Sequence, residues 1–141
     1  MKIVFVDTVY WVATANPRDP WKSAAEQACT SLGPALMVTT DEILTEFLAA
    51  MSRWGPESRR KASRTVRAIL ANPNIKVVAQ SRDTFLRALD RYEHREDKSY
   101  SLTDCSSMNT MDAEGVREIL TRDHHFEQES YTVLMKDQGS S

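Results

Sequence analysis

The sequence of 141 residues has few cysteines and no long apolar run, and each shortage excludes a class of protein. Cys29 and Cys105 form neither a C-x-x-C pair nor a Cys/His spacing, which argues against a disulfide framework and a zinc site. No apolar run approaches the roughly 20 residues that span a bilayer. The apolar segment 3–6 is too short for a signal peptide and is followed by Asp7. These absences predict a soluble cytoplasmic protein with no membrane partner.

The composition is that of an ordinary globular protein, with 41% hydrophobic and 27% charged residues. Its length predicts a single domain over residues 1–136, with 137–141 as a frayed C-terminal tail. The net charge of -2 argues against a protein that coats nucleic acid. The segment 53–67 is nevertheless basic, with Glu57 as its only acid. Its helix, including Arg59–Arg67, is either a solvated face or a surface that contacts phosphates.

Short apolar segments alternate with segments of helical spacing along the chain. We predict strands at 3–6, 36–39, 75–79, 116–120 and 131–135, with helices between them. Thr39 is the predicted N-cap of the helix that follows the second strand, with Glu42 as its partner in a capping box. Strands that alternate with helices indicate a mainly parallel sheet covered on both faces. The predicted fold is therefore a three-layer α/β/α sandwich.

Four acidic residues lie near the ends of the predicted strands or at the starts of helices. Asp7 directly follows the first strand, and Asp123 lies in the loop after the fourth. Glu46 lies roughly two turns into the helix after the second strand, and Asp104 lies in the first turn of the helix opened by Ser101. Each has a simpler explanation alone, such as a helix cap or a turn. Together at the carboxyl edge of the sheet, they predict a cation site, and carboxylate oxygens suit Mg²⁺ or Mn²⁺.

Two adjacent histidines follow the last of these acids. A zinc site is disfavoured, because His94 is the only other histidine and no cysteine cluster accompanies them. We predict that His124 and His125 border the site and point along the departing loop, and that Asp123 is the functional residue. Phe126 is expected to anchor this loop in the core.

Four motifs occur in order over nearly the whole chain: FVDT at 5–8, TTDEILTE at 39–46, DKSYSLTDC at 97–105 and LTRDHHF at 120–126. Together they resemble the PIN domain, and within it the VapC-type toxin ribonucleases and their close bacterial relatives. The resemblance places the family's acidic quartet on Asp7, Glu46, Asp104 and Asp123. Glu42, one helical turn before Glu46, is the competing position for the glutamate. The segment 129–131 departs from the pattern, since relatives tend to have Gly-Phe there.

The resemblance implies an endoribonuclease that cleaves RNA with Mg²⁺ or Mn²⁺, frequently as a homodimer. It also implies a toxin that is often paired with a small antitoxin protein. The alternative is a PIN-fold nucleic-acid-binding or scaffolding protein without significant catalysis. A small-molecule phosphohydrolase is disfavoured, because no D-x-D follows the first strand. The hydroxyls of Thr8, Ser101 and Thr103 are expected to orient ligands or water.

Overall fold

Five strands form one parallel sheet in the computed structural model, which describes residues 1–136. The strands are β1 (Lys2–Val6), β2 (Ala35–Thr40), β3 (Ile75–Val78), β4 (Glu118–Leu120) and β5 (Thr132–Val133). Their order across the sheet is β3-β2-β1-β4-β5, and every neighbouring pair is parallel. The tail predicted at 137–141 lies outside the described residues.

Six α-helices cover the two faces of the sheet: α1 (Thr8–Ala15), α2 (Lys22–Leu32), α3 (Asp41–Ser52), α4 (Pro56–Ala71), α5 (Arg82–His94) and α6 (Leu102–Glu114). The chain crosses the sheet from β1 to β3 in one direction and then returns past β1 to β4. Crossovers between parallel strands are right-handed, so connections that run in opposite directions across the sheet place their helices on opposite faces. Helices α1 to α4 therefore lie on one face, and α5 and α6 lie on the other. Contacts between α1 and α3, α3 and α4, and α5 and α6 agree with this arrangement. The predicted three-layer sandwich is confirmed.

The N-cap predicted for α3 is wrong by one residue. β2 continues through Thr40, which pairs with β3, and the Thr40 side chain accepts the cap hydrogen bond from the Ile43 amide at 3.2 Å. The Thr39 side chain lies inside the core instead, where its hydroxyl donates to the Val6 carbonyl at 3.0 Å. Thr39 and Thr40 are both buried, but side chains alternate along a strand, so the two face opposite sides of the sheet and only Thr40 is placed to cap α3. Glu42 therefore forms no capping box.

The loop after β4 continues into a 3₁₀ helix (His124–Glu129). Its Phe126 is fully buried and packs edge-on against Tyr131, with 6.3 Å between the ring centroids. The prediction that Phe126 anchors this loop in the core is confirmed. In the described part of the chain, no helix combines the length and apolar character that a membrane crossing requires.

Candidate active site

An open cleft of about 870 Å³ lies at the carboxyl ends of β1 and β4. The order of the strands reverses between these two, and doubly wound sheets bind ligands at this point. The cleft is lined by all four predicted acids, Asp7, Glu46, Asp104 and Asp123. Arg122 is the only lysine or arginine among its described lining residues. The fold thus brings together carboxylates from β1, α3, α6 and the loop after β4.

Asp7 is the most buried of the four carboxylates, with 8% of its surface exposed. Its Oδ1 accepts a hydrogen bond from the Thr8 amide at 2.9 Å, which caps α1, and its Oδ2 accepts one from the Thr121 hydroxyl at 2.8 Å. The pKa of Asp7 is raised from 3.8 to about 7, mainly by burial and in smaller part by the charges of Asp104 and Glu46, against the opposing effect of the two hydrogen bonds. In the absence of a cation, this carboxyl group is therefore only partly ionised near neutral pH.

Thr121 connects two of the acids and was not singled out from the sequence. Its side chain is fully buried. Its hydroxyl donates to Asp7 and accepts from the Asp123 amide at 3.1 Å. This one hydroxyl therefore couples the end of β1 to the end of β4. The sequence did contain a signal for this role, because Thr121 lies in the LTRDHHF motif, two residues before Asp123.

Asp104 is held by the capping box that begins α6. The Ser101 amide donates to Asp104 Oδ2 at 3.0 Å, and the Asp104 amide donates to the Ser101 hydroxyl at 3.0 Å. Burial raises the pKa of Asp104, and the charges of Asp123 and Glu46 add to this increase, while the bonds to Ser101 oppose it. The predicted role of Ser101 as an orienting residue agrees with this geometry. Among the described residues, Thr103 forms no hydrogen bond with the four acids.

Glu46, and not Glu42, reaches the cleft. The Thr8 hydroxyl donates to Glu46 Oε1 at 2.6 Å, which ties α1 to α3 at the rim. Glu42 instead points toward α6, where its Oε2 accepts a hydrogen bond from the Ser106 hydroxyl. Its other oxygen, Oε1, is buried and has no hydrogen-bond partner in the described part of the chain. The two glutamates, one turn apart on α3, therefore have separate surroundings.

The two histidines differ from each other. The His124 side chain is 73% exposed and lies beside Glu127, with 3.1 Å between Nδ1 and Oε1, as expected for a side chain on the departing loop. The same expectation is wrong for His125, because the 3₁₀ turn directs its ring back to Asp123. Asp104, Asp123 and His125 each offer a ligand atom, and the three atoms lie within 4.8 Å of one another.

The donor set fits a hard divalent cation. No lysine or arginine of residues 1–136 forms an ion pair with Asp7, Glu46 or Asp104. The carboxylates mutually raise the pKa values of Asp7 and Asp104, and a bound cation would reverse this effect. Since carboxylate oxygens dominate the cluster, Mg²⁺ and Mn²⁺ suit it better than Zn²⁺.

A five-stranded parallel sheet in this order, with an acidic cleft where the order reverses, agrees with the PIN-like fold that the sequence resemblance implies. No family model matches the sequence. The chain is 24% identical, over 124 residues, to the 23S rRNA-specific endonuclease VapC20 of two Mycobacterium tuberculosis strains. That alignment covers 88% of this chain and 92% of VapC20.

Two solved structures share the fold. The crystal structure of Mycobacterium tuberculosis VapC20, a Sarcin-Ricin loop cleaving toxin, superposes with a TM-score of 0.82 and 22% identity. The superposition covers 94% of this chain and 99% of the VapC20 chain. A toxin–antitoxin complex from Klebsiella pneumoniae superposes with a TM-score of 0.61 and 16% identity, over 86% of this chain and 87% of the other. The predicted resemblance to VapC-type PIN-domain proteins is confirmed.

Proposed function

We propose that the protein is a divalent-metal-dependent endoribonuclease of VapC type, and that Asp7, Glu46, Asp104 and Asp123 form its metal site. The observation that carries the proposal is the convergence of these carboxylates in one cleft where the strand order reverses. VapC20, to which the chain is similar over most of its length, is an endonuclease specific for 23S rRNA. An RNA phosphodiester is therefore the substrate class that we assign to the cleft.

Asp7, Glu46, Asp104 and Asp123 would hold Mg²⁺ or Mn²⁺, which would supply an activated water molecule and stabilisation of charge on the leaving oxygen. The chain's own residues prepare the position for this chemistry. The Thr121 hydroxyl and the Thr8 amide fix the Asp7 carboxylate, and the capping box of α6 fixes Asp104. At the rim, the Thr8 hydroxyl orients Glu46. These ligands are consequently restrained before the cation binds, which lowers the entropic cost of binding.

Basic groups in the cleft and on α4 support an RNA substrate. Arg122 lines the cleft and stacks on Trp21, with 5.0 Å from its Cζ to the ring centroid. On α4, the side chains of Arg59, Arg64 and Arg67 are exposed and form no ion pair among the described residues. Free guanidinium groups of this kind bind phosphates, and a stacked Trp-Arg pair offers a surface for a base. We therefore interpret α4 as part of the RNA surface.

We extend the proposal to the partners and the location. The Klebsiella pneumoniae structure that shares this fold is a toxin–antitoxin complex. This similarity supports a small antitoxin partner for the present chain. We also propose a homodimer, a single domain over residues 1–136 and a cytoplasmic location. Light scattering of the purified protein, alone and co-expressed with the product of the neighbouring reading frame, tests the dimer and the antitoxin.

Cleavage of defined RNAs tests the chemistry. Wild-type protein is expected to cleave ribosomal RNA with Mn²⁺ or Mg²⁺ and to lose activity in EDTA. Asp7→Asn and Asp104→Asn are expected to lose activity by roughly a hundredfold or more, because each removes a ligand charge and keeps the shape. Asp83→Asn is the matched control, since Asp83 is an exposed acid on α5 paired with Arg87.

Full activity in both cluster variants would contradict the carboxylate site. RNA binding by the wild-type protein without cleavage in either metal would instead favour a nucleic-acid-binding or scaffolding protein. Gel-shift measurements with the same RNAs report binding independently of cleavage. Asp7→Asn and Asp104→Asn should still bind RNA although they no longer cleave it.

A further inference from the structure

The imidazole of His125 is held against the acidic cluster by local structure. The 3₁₀ helix begins at His124, and the His125 amide donates to Asp123 Oδ1 at 2.9 Å. The ring lies beside Tyr100, with 5.7 Å between the centroids, and its Nε2 lies 3.2 Å from the Ser99 hydroxyl. One ring nitrogen therefore has a hydrogen-bond partner and the ring orientation is fixed.

The other ring nitrogen, Nδ1, has no such partner. It is buried, and it forms no hydrogen bond within the described residues. It lies 3.2 Å from Asp123 Oδ1, yet a hydrogen on it would not be aligned with that oxygen. If Nε2 carries the proton and donates to Ser99, then Nδ1 and Asp123 Oδ1 are two acceptors facing each other. Buried polar atoms without a partner are costly, and facing acceptors repel.

A cation close to Nδ1 and the carboxylates would satisfy all of these atoms. The trio of Asp104, Asp123 and His125 already presents three ligand atoms within 4.8 Å of one another. A histidine that binds a metal through one ring nitrogen usually donates a hydrogen bond with the other, as His125 can to Ser99. The geometry matches that of a nitrogen ligand to the metal.

We propose that His125 binds the divalent cation through Nδ1, beside Asp104 and Asp123, so that the site has a nitrogen donor in addition to its carboxylates. The proposal rests on the proposed function, which supplies the cation. An imidazole ligand favours Mn²⁺ over Mg²⁺, since Mg²⁺ prefers oxygen ligands. The consequence is a site selective for Mn²⁺, with Ser99 as the residue that sets the tautomer.

Pulsed electron paramagnetic resonance of the Mn²⁺-loaded full chain tests the nitrogen ligand directly. The wild-type protein is expected to show ¹⁴N modulation from a coordinated imidazole, replaced by ¹⁵N coupling after labelling with ¹⁵N-histidine. The chain has three histidines, so His94→Ala combined with His124→Ala leaves His125 as the only labelled residue. Retention of ¹⁵N coupling in that double variant assigns it to His125 even if His125→Ala fails to fold.

Titration with Mn²⁺ and Mg²⁺ gives a second readout. His125→Ala is expected to weaken Mn²⁺ binding by about tenfold or more, as loss of metal-site partners does, and to weaken Mg²⁺ binding less. His124→Ala is the matched control, because its exposed ring pairs with Glu127, and it should leave both affinities unchanged. An unchanged ratio of Mn²⁺ to Mg²⁺ affinity in His125→Ala would argue against direct ligation.

The outcomes separate the two proposals. Mn²⁺ binding without nitrogen coupling overturns the histidine ligand and leaves the carboxylate site intact. Absence of any Mn²⁺ or Mg²⁺ binding overturns both. Nitrogen coupling that persists in folded His125→Ala assigns the donor to another residue and also overturns the inference.

Discussion

Replacement of Asp7 by asparagine is expected to stabilise the metal-free protein at neutral and alkaline pH. Burial and the neighbouring acids raise the pKa of Asp7 from 3.8 to about 7. At about 1.4 kcal/mol for each pKa unit, ionisation of Asp7 lowers the free energy of unfolding by about 4 kcal/mol. Since the folded-state pKa is the higher one, this stability is present below about pH 4 and is lost as the pH rises through about 7.

Asparagine removes this pH-dependent loss at the cost of one hydrogen bond. Its side-chain carbonyl can still accept from the Thr8 amide, but its NH₂ group cannot accept from the Thr121 hydroxyl. That lost bond costs about 1 kcal/mol. Asp7→Asn should therefore be more stable than the wild type by about 3 kcal/mol at pH 8 and less stable by about 1 kcal/mol near pH 4.

Urea unfolding in EDTA, followed by far-ultraviolet circular dichroism between pH 4 and 8.5, measures this difference. The difference between variant and wild type isolates Asp7 from the other titrating groups. Asp83→Asn removes the same charge from an exposed position and should give only a small difference. If the Asp7→Asn difference does not change with pH, or if the variant is less stable at pH 8, Asp7 carries no buried charge and the reasoning fails.

Further outcomes follow from the same geometry. Glu46→Gln should reduce RNA cleavage by roughly a hundredfold, whereas Glu42→Gln should remain active and lose about 1 kcal/mol of stability; the reverse pattern would move the ligand to Glu42. Phe126→Ala should lower the free energy of unfolding by about 3–5 kcal/mol in urea titrations, and a loss under 1 kcal/mol would contradict its anchoring role. Mn²⁺ at about 100 times its Kd should raise the free energy of unfolding by about 2.7 kcal/mol, and an unchanged melting midpoint would count against a metal site. Combined Arg64→Ala and Arg67→Ala should reduce the salt dependence of single-stranded RNA binding by about 1.4 in log-log slope, and an unchanged slope would remove α4 from the RNA surface.

The fold could be predicted because the apolar segments of β1, β2 and β3 each end close to a side chain that caps an α-helix. Ser81 and Ser101 cap their helices as the local pattern indicates. The predicted ends of the last two strands were less accurate. The apolar segment 131–135 contains only two residues that pair with β4, Thr132 and Val133. Apolar character reports burial in the core, whereas a strand also needs continuous pairing with its neighbour. The Leu134 and Met135 amides still donate to the carbonyls of Ile119 and Thr121 but lie beyond the end of β5, and a single sequence does not specify where that pairing ends.

The carboxylates of the candidate site were accessible to sequence reasoning for the same topological reason. Asp7 and Asp123 follow neighbouring parallel strands, so the sheet brings them to one edge. Thr121 and His125 were not assigned correctly. Their roles depend on contacts across the chain or on a 3₁₀ turn, and local spacing specifies neither. The partner of Glu42, Ser106, is likewise 64 residues distant.

The hydrogen bond from Thr121 to Asp7 joins two residues that are 114 positions apart. Synthesis proceeds from the N-terminus, so β1 is made before β4 and remains without this neighbour until β4 follows. A nascent chain that ends before β4 contains Asp7, Glu46 and Asp104 but lacks both Thr121 and Asp123. The cleft is therefore completed only when the segment with Thr121 and Asp123 has been made, and a product that ends before this segment cannot carry the complete acidic site.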